Sequence, residues 1–498
     1  MYFKKLTSIM KKLIVLFIVI MAVSAQAESK KLKARLWHTT FWSPVDGPYV
    51  ETYLAFDAAS LEYKEIGEGK YQGSLEITMI FKQNDSIRDY AKYELKSPVV
   101  EDTSNIRLEF IDQQRFLLQN GQYEFLLSIA DQNSQNEPFA YEDVIDISYP
   151  DDQVNVSGIE LVDSYEPAKE SHSVLSKSGY KLIPYVSNFY PAGRDNLMFY
   201  TEVYNTDKVL GENEKIVLKY FIESFETGKV LSKYQKFKRK HTNLVIPTLS
   251  EFDLRNLPSG NYKLGVEVRD RNNELVTSNK LFFQRSNPNM RFDLNDIAAV
   301  NIANSFVEDL TSKDTLQEYI KMIRPIATQV EKQFIDNQSK EADLETLQQF
   351  FLNFWQTRDE IKPQEAWLKY LDEVEKVNKV YSTQIMPGYT TDRGRVYLQY
   401  GPPNIITESY NEPSAYPYEI WHYYKLGDSQ RDKKFVFYTY NLVTNDFVLL
   451  HSNAIGELSN YRWQAELHRR DFDPQSPDDI RPPDAWGNQA NEYYINPR

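Results

Sequence analysis

Asp392, Arg393 and Arg395 form the best polar cluster in the chain. Two guanidinium groups can clamp a carboxylate or a phosphate, because arginine's planar fork matches paired oxygens. A catalytic variant would use Asp392 with Asp359 as an acid/base pair. The base reading needs no ligand: Arg358 and Arg393 neutralise Asp392 and Asp359 in an ion-pair knot between helix and loop.

Other chemistry is sparse. The histidines are 38, 172, 241, 422, 451 and 468, none at a metal-ligand spacing. There is no nucleophile elbow, P-loop or dinucleotide-binding glycine pattern. Ser178 and Lys181 match Ser-x-x-Lys, but that pair needs a helix, and Gly179 at a strand entry argues against one. Cys is absent, which removes thiol nucleophiles and thiolate metal sites. With 71 acidic against 57 basic residues, a net charge of −14 disfavours nucleic acid. The expectation is a protein that is not an enzyme and has no cofactor and no metal site.

The elements that position these residues begin after an export signal. Lys11-Lys12, an apolar run over 13–23 and Ser24-Ala25-Gln26-Ala27 read as a signal peptide over 1–27, cut between Ala27 and Glu28. The signal makes the mature chain an expected export, to the periplasm, the outer membrane or the cell surface, and no later segment reads as a membrane helix.

Residues 35–286 alternate apolar and polar, as half-buried strands do. Leu118-x-x-Gly121-x-Tyr123 with Asp131 recurs as Leu257-x-x-Gly260-x-Tyr262 with Asp270, at one constant offset. The glycine permits a tight turn; the tyrosine starts a core strand and pins the turn with its hydroxyl. Two immunoglobulin- or fibronectin-like sandwiches are expected, over 33–150 and 155–286. Lysines 233, 236, 238 and 240 with Arg239 read as an edge strand guarded against pairing, or as an anion contact.

From 291 to 383 the apolar period becomes helical. Phe306-Val307, Leu316-Tyr319-Ile320, Leu344-Leu347-Phe351-Phe354-Trp355 and Trp367-Tyr370-Leu371 mark successive faces. Over 384–465, aromatic runs at 418–424, 435–440 and 447–450 predict an antiparallel meander covered on one face by those helices. Thr391-Asp392 ends a loop and can cap a short helical turn; Val396, Leu398 and Tyr400 then fall on one face of a strand or turn-like segment, ended by the Gly401-Pro402-Pro403 bend. A Pro- and aromatic-rich tail over 466–498 either folds back on this module or docks elsewhere. The fold class is thus multidomain β plus α+β.

Phe354-Trp355, Arg358-Asp359, Gly388-Tyr389-Thr390-Thr391-Asp392, Arg393, Arg395, Gly401-Pro402-Pro403 and Glu419-Ile420-Trp421 resemble the GWxTD-domain proteins, exported and mostly from Bacteroidota. Tyr389 stands where that family's name has Trp. The resemblance implies no established activity. The resulting expectation is a non-enzymatic cell-envelope adaptor that meets a protein partner, an outer-membrane complex among the candidates. The alternatives are binding to a glycan or envelope polymer through the abundant Tyr and Trp, with Trp421 and Trp486 as the candidates, and a hydrolase built on Asp359 and Asp392.

Overall fold

A computed structural model describes residues 31–168, 176–288, 290, 300–427, 430–460, 462–468 and 489–497. The signal-peptide reading, with Ala27 and Glu28, lies outside the described residues. The chain forms two compact units, one of 1–187 with 201–205, the other of 188–200 with 206–498.

In the first unit, β1 (Ala34–Ser43), β2 (Gly47–Asp57) and β5 (Glu109–Leu117) form one antiparallel sheet in the order β1-β2-β5. Strands β3 (Ser74–Gln83), β4 (Ser86–Lys96), β6 (Gly121–Asp131) and β7 (Phe139–Ile147) form a second in the order β4-β3-β6-β7. The alternation over 74–83 buries Leu75, Ile77, Met79 and Phe81. Phe81 bridges the sheets, 4.6 Å from Phe116 and 4.8 Å from Phe125. Strands β8 (Glu160–Pro167), β9 (Ser176–Lys177) and β10 (Tyr180–Pro184) also belong to this unit. The sequence had grouped 155–187 with the second sandwich. They join the first through charges in its interior, described below. Ser178 and Gly179, at φ 47° and 85°, form the turn between β9 and β10, so no helix brings Ser178 to Lys181.

In the second unit, β11 (Phe189–Tyr190), β12 (Lys215–Ser224), β13 (Val230–His241), β14 (Gly260–Arg269) and β15 (Leu275–Arg285) form a sheet in the order β11-β15-β14-β12-β13. Both repeated tyrosines do what the motif requires. Tyr123 donates its hydroxyl proton to the carbonyl of Gln119, and Tyr262 to that of Pro258, each at 3.0 Å. The basic run lies on β13, at the sheet edge. Lys236 and Lys238 donate to the carbonyls of Glu251 and Leu249.

Helices α1 (Lys313–Met322), α2 (Gln329–Asn337), α3 (Leu344–Arg358) and α4 (Pro363–Tyr381) bury Leu316, Phe334, Phe351, Trp355 and Trp367 together. Ser312 caps α1, Asp343 caps α3, and Pro363 opens α4. The helix expected at Phe306-Val307 is instead a run of turns. Asn304 there is left-handed (φ 60°), and Gln348 of α3 donates to the carbonyls of Val307 and Leu310, taking the place of helical partners.

Next comes α5 (Asp392–Tyr400), then the meander β16 (Ile405–Ser409), β17 (Tyr418–Leu426), β18 (Gln430–Tyr438) and β19 (Val448–Ser452), neighbours in chain order. The strand-like reading of 396–400 is corrected: the segment is helical. Val396 packs on the sheet and Leu398 on α4, so a helix buried on two sides mimics alternation. Both sheet faces are covered, rather than one. The second face holds α6 (Trp463–Leu467), where the module runs into the tail, and α7 (Ala490–Ile495) of the tail. Glu412 accepts from His468 Nε2 and from the Gln489 backbone N–H.

Candidate functional site

The Gly388–Gly401 segment turns on two glycines. A Cβ on Gly388 would lie 2.3 Å from the carbonyl oxygen of Val377 in α4, and one on Gly394 would lie 1.9 Å from the carbonyl oxygen of Gly388. Backbone thus packs on backbone, which only glycine allows. Thr391 locks the arrangement as N-cap of α5. Its hydroxyl donates to Gly388 O at 2.8 Å and accepts from Gly394 N–H at 3.1 Å. Tyr389 is buried, and its hydroxyl donates to Glu318 of α1 at 2.8 Å. Here the hydroxyl supplies a polar contact at the position where the family name has an indole. Gly401, at φ 82°, ends the helix and accepts from the Tyr423 hydroxyl. Pro402 and Pro403 then turn the chain into β16.

The arginines do not form a clamp. In a helix, residues two apart diverge by about 200°. Arg393 runs inward and is buried. It donates to Glu419 at 2.6 Å and to the side-chain and backbone oxygens of Asn445 at 2.5 and 3.0 Å. Its guanidinium lies 4.0 Å from the centroid of Phe447 and 5.1 Å from that of Tyr381. Glu419 is the hub and is 3% exposed. It also accepts from Trp421 Nε1 at 2.9 Å and from the Tyr410 hydroxyl at 3.1 Å. Arg395 instead makes a bidentate pair with Glu457, at 2.8 and 2.9 Å.

The expected pairings of Arg358 and Arg393 with Asp359 and Asp392 are therefore corrected. Arg358 pairs with Glu331 at 2.9 Å, donates to the carbonyls of Ile326 and Phe354, and covers the Phe354 ring. Asp359 accepts from the backbone N–H groups of Ile361 and Lys362. Asp392 accepts from Leu449 N–H at 2.8 Å and fixes the margin of β19. The two aspartates thus serve different backbone amides, Asp359 at the start of α4 and Asp392 on β19. Trp421 has no exposed surface and cannot stack on a glycan; Trp486 lies outside the described residues. Among the described residues, no three His, Asp or Glu side chains are placed to hold a metal ion. None of the described helices is long and apolar enough to cross a membrane.

Arg393 does position surface. Through Asn445, itself left-handed at φ 53°, it holds the turn Leu442–Thr444. The Asn445 amide donates in turn to the carbonyls of Val380 and Ser382 at the end of α4. The two linked loops project apolar side chains: Ile385 is 89% exposed and Val443 77%, with Leu442 next to Val443 and Val380 exposed on the last turn of α4.

A buried charge cluster escaped the sequence reading. In the first unit, the Lys177 ammonium contacts Glu51 and lies 2.5 Å from Glu160 and 3.7 Å from the centroid of Phe41. Tyr53 donates to Glu51 at 2.5 Å, and Arg115 pairs with the same carboxylate at 2.6 Å. Burial pushes the Glu160 carboxyl up. Burial also works against the Lys177 charge, but the two carboxylates outweigh it and hold the ammonium protonated. The available signal was Glu51, a lone acid within the apolar run of β2.

Residues 296–465 match the GWxTD domain. No curated protein matches the chain. Among solved structures, the chain is similar to the fibronectin(III)-like modules of Clostridium thermocellum CbhA, with 8% identity, 49% of this chain and 89% of that one covered, and a TM-score of 0.15. A glycosyl hydrolase family 2 member from Bacteroides cellulosilyticus shares 9% identity, with 47% and 28% covered and a TM-score of 0.18. Salmonella alpha-2-macroglobulin shares 12%, with 52% and 17% covered and a TM-score of 0.16. The chain spans less than two thirds of the latter two. With TM-scores this low, the fold assignment rests on the sheets themselves.

Proposed function

This chain is a GWxTD domain-containing protein, and from that premise we propose that it is an exported, non-enzymatic envelope protein whose C-terminal module docks a partner protein. One observation carries the reading. A buried ion pair of the module, Arg393–Glu419, is used to hold two loops whose tips are apolar and open to solvent. Solvent exposure of large aliphatic side chains is unfavourable. A fold that rigidly presents several of them on linked loops has the character of an interaction site. The β-sandwiches then act as spacers that carry the module.

A photo-crosslinking residue at Val443 or Ile385, introduced in cells that naturally make the protein, should give a discrete adduct with an envelope protein. The same probe at Ile66, exposed on the first unit, should give none. Absence of adducts at both loop positions would defeat the docking reading. Export is tested separately by mass spectrometry: the mature chain should begin at Glu28.

A further inference from the structure

The second unit contains a cleft of about 320 Å³ between its sandwich and its helices. Phe225, Glu226 and Lys263 line it from the sandwich side, Pro325 and Ile326 from the turn before α2, and Gln399, Tyr400 and Gln430 from the module. The volume lies at the lower end of the range for small-molecule sites, about 300–1,000 Å³. It suits a compact ligand rather than a polymer.

The charges around it are almost all neutralised within the protein. Arg395 is paired with Glu457, and Arg324 with Asp336 at 2.8 Å. Lys263 has Glu223 at 4.0 Å, and Arg358 has Glu331. Two charges are left over. Glu226 accepts hydrogen bonds from the Asn261 amide and the Ser224 hydroxyl, and among the described residues has no cation within ion-pair distance. Lys332, on α2, has no carboxylate within that distance among the described residues. Its electrostatic neighbours are Glu226, Arg324, Arg395 and Glu457, which places it beside the same cleft. Burial disfavours both charged forms, pushing the Glu226 carboxyl up and the Lys332 ammonium down. Each sits in the other's field, Lys332 drawing the Glu226 carboxyl down and Glu226 the Lys332 ammonium up, but beyond ion-pair distance, so burial still dominates both; a ligand that brings an ammonium to one and a carboxylate to the other adds the close contacts they lack.

We propose that this cleft binds a small zwitterion of the amino-acid or dipeptide class, its ammonium against Glu226 and its carboxylate toward Lys332, with its apolar body against Phe225, Ile326 and Tyr400. Gln430 adds an amide beside the polar ends: its Oε1 is committed to the Ile455 N–H, which leaves its NH2 group to donate.

The test uses the full mature chain, with alanyl-alanine as probe and NMR of side-chain and backbone amides around Gln399 and Gln430 as readout. Alanyl-alanine should shift these signals saturably. N-acetyl-alanyl-alanine, lacking the ammonium, and alanyl-alanine amide, lacking the carboxylate, should each bind at least about tenfold more weakly, a difference of about 1.4 kcal/mol. Glu226→Gln should abolish the penalty of acetylation but keep that of amidation; Lys332→Met should do the reverse. Both variants keep the cleft's volume, and circular dichroism checks their fold. No shift by any of the three probes up to about 10 mM, ten times a millimolar dissociation constant, would overturn the proposal. So would equal shifts by all three, or variants that lose binding without this crossed pattern. Loss of the docking reading at Val443 would leave this outcome unaffected.

Discussion

Arg393→Met is the sharpest test of how the module is built. The substitution keeps an unbranched side chain of similar length but leaves Glu419 charged in the interior with only the Trp421 and Tyr410 donors. Removing one partner of a buried pair costs about 3–5 kcal/mol. The lost bonds to Asn445 and the lost ring contacts with Phe447 and Tyr381 belong to the same interaction, so their costs are not added separately. Glu419→Gln should cost less, because an amide can still accept from Arg393 while donating elsewhere. The double variant should fall short of the sum of the singles by roughly 1–3 kcal/mol, the coupling expected of groups in direct contact. Urea unfolding followed by the 19F resonance of 5-fluorotryptophan at position 421 reads this locally, since the indole bonds directly to Glu419. A loss below about 1 kcal/mol for Arg393→Met, together with additivity in the double variant, would refute the structural role. The arginine would then be held for a ligand.

Three further outcomes follow from the geometry. Lys177→Met should destabilise the first unit by about 3–5 kcal/mol, because Glu51 and Glu160 would remain buried without their shared cation; faster hydrogen exchange in β2 measures it. Gly394→Ala should prevent α5 from seating against Gly388, at a cost above about 4 kcal/mol, seen as loss of the cooperative melting transition of the module. His451 accepts from Asn460 N–H at Nδ1, so its proton sits on Nε2, facing the Tyr494 hydroxyl at 3.0 Å, and burial lowers its pKa to about 4. The folded state therefore binds fewer protons than the unfolded chain between pH 6.5 and 4. Its contribution is complete above the ordinary histidine value and is lost as pH falls through that window, at about 1.4 kcal/mol per unit or roughly 3 kcal/mol in all. Unfolding free energies from pH 7 to pH 4 should show this slope, and His451→Phe should flatten it.

The repeated Gly-x-Tyr signature was legible because one local rule, a hydroxyl reaching back four residues, shapes both sandwiches. Helices Lys313–Met322, Leu344–Arg358 and Pro363–Tyr381 were legible for a similar reason, since each presents a single apolar stripe, whereas Gln329–Asn337, which buries only Phe334 and Ile335, shows too little of one to be read. The helix start at Thr391-Asp392 was legible as a cap, but 396–400 was misread because Val396 and Leu398 are buried against different neighbours, which gives a helix the pattern of a strand. The arginine partners were also out of reach. Arg393 finds Glu419, Arg395 finds Glu457 and Arg358 finds Glu331, and each pair closes only after tertiary packing. What the sequence did offer was the oddity of Glu419 within an aromatic strand, an acid that had to meet a cation somewhere. The Lys177 cluster is still less local, since its charges come from four separate strands.

Glu412 grips His468 and Gln489 with one carboxylate oxygen, so the intervening stretch starts and finishes at a single knot. The helix Ala490–Ile495 is therefore a tethered guest on the sheet, retained by high effective concentration as well as by its own contacts. A backbone cut between the two anchor points would turn an intramolecular dock into a dissociable peptide, and would bare the Trp463 and Tyr418 surface beneath it.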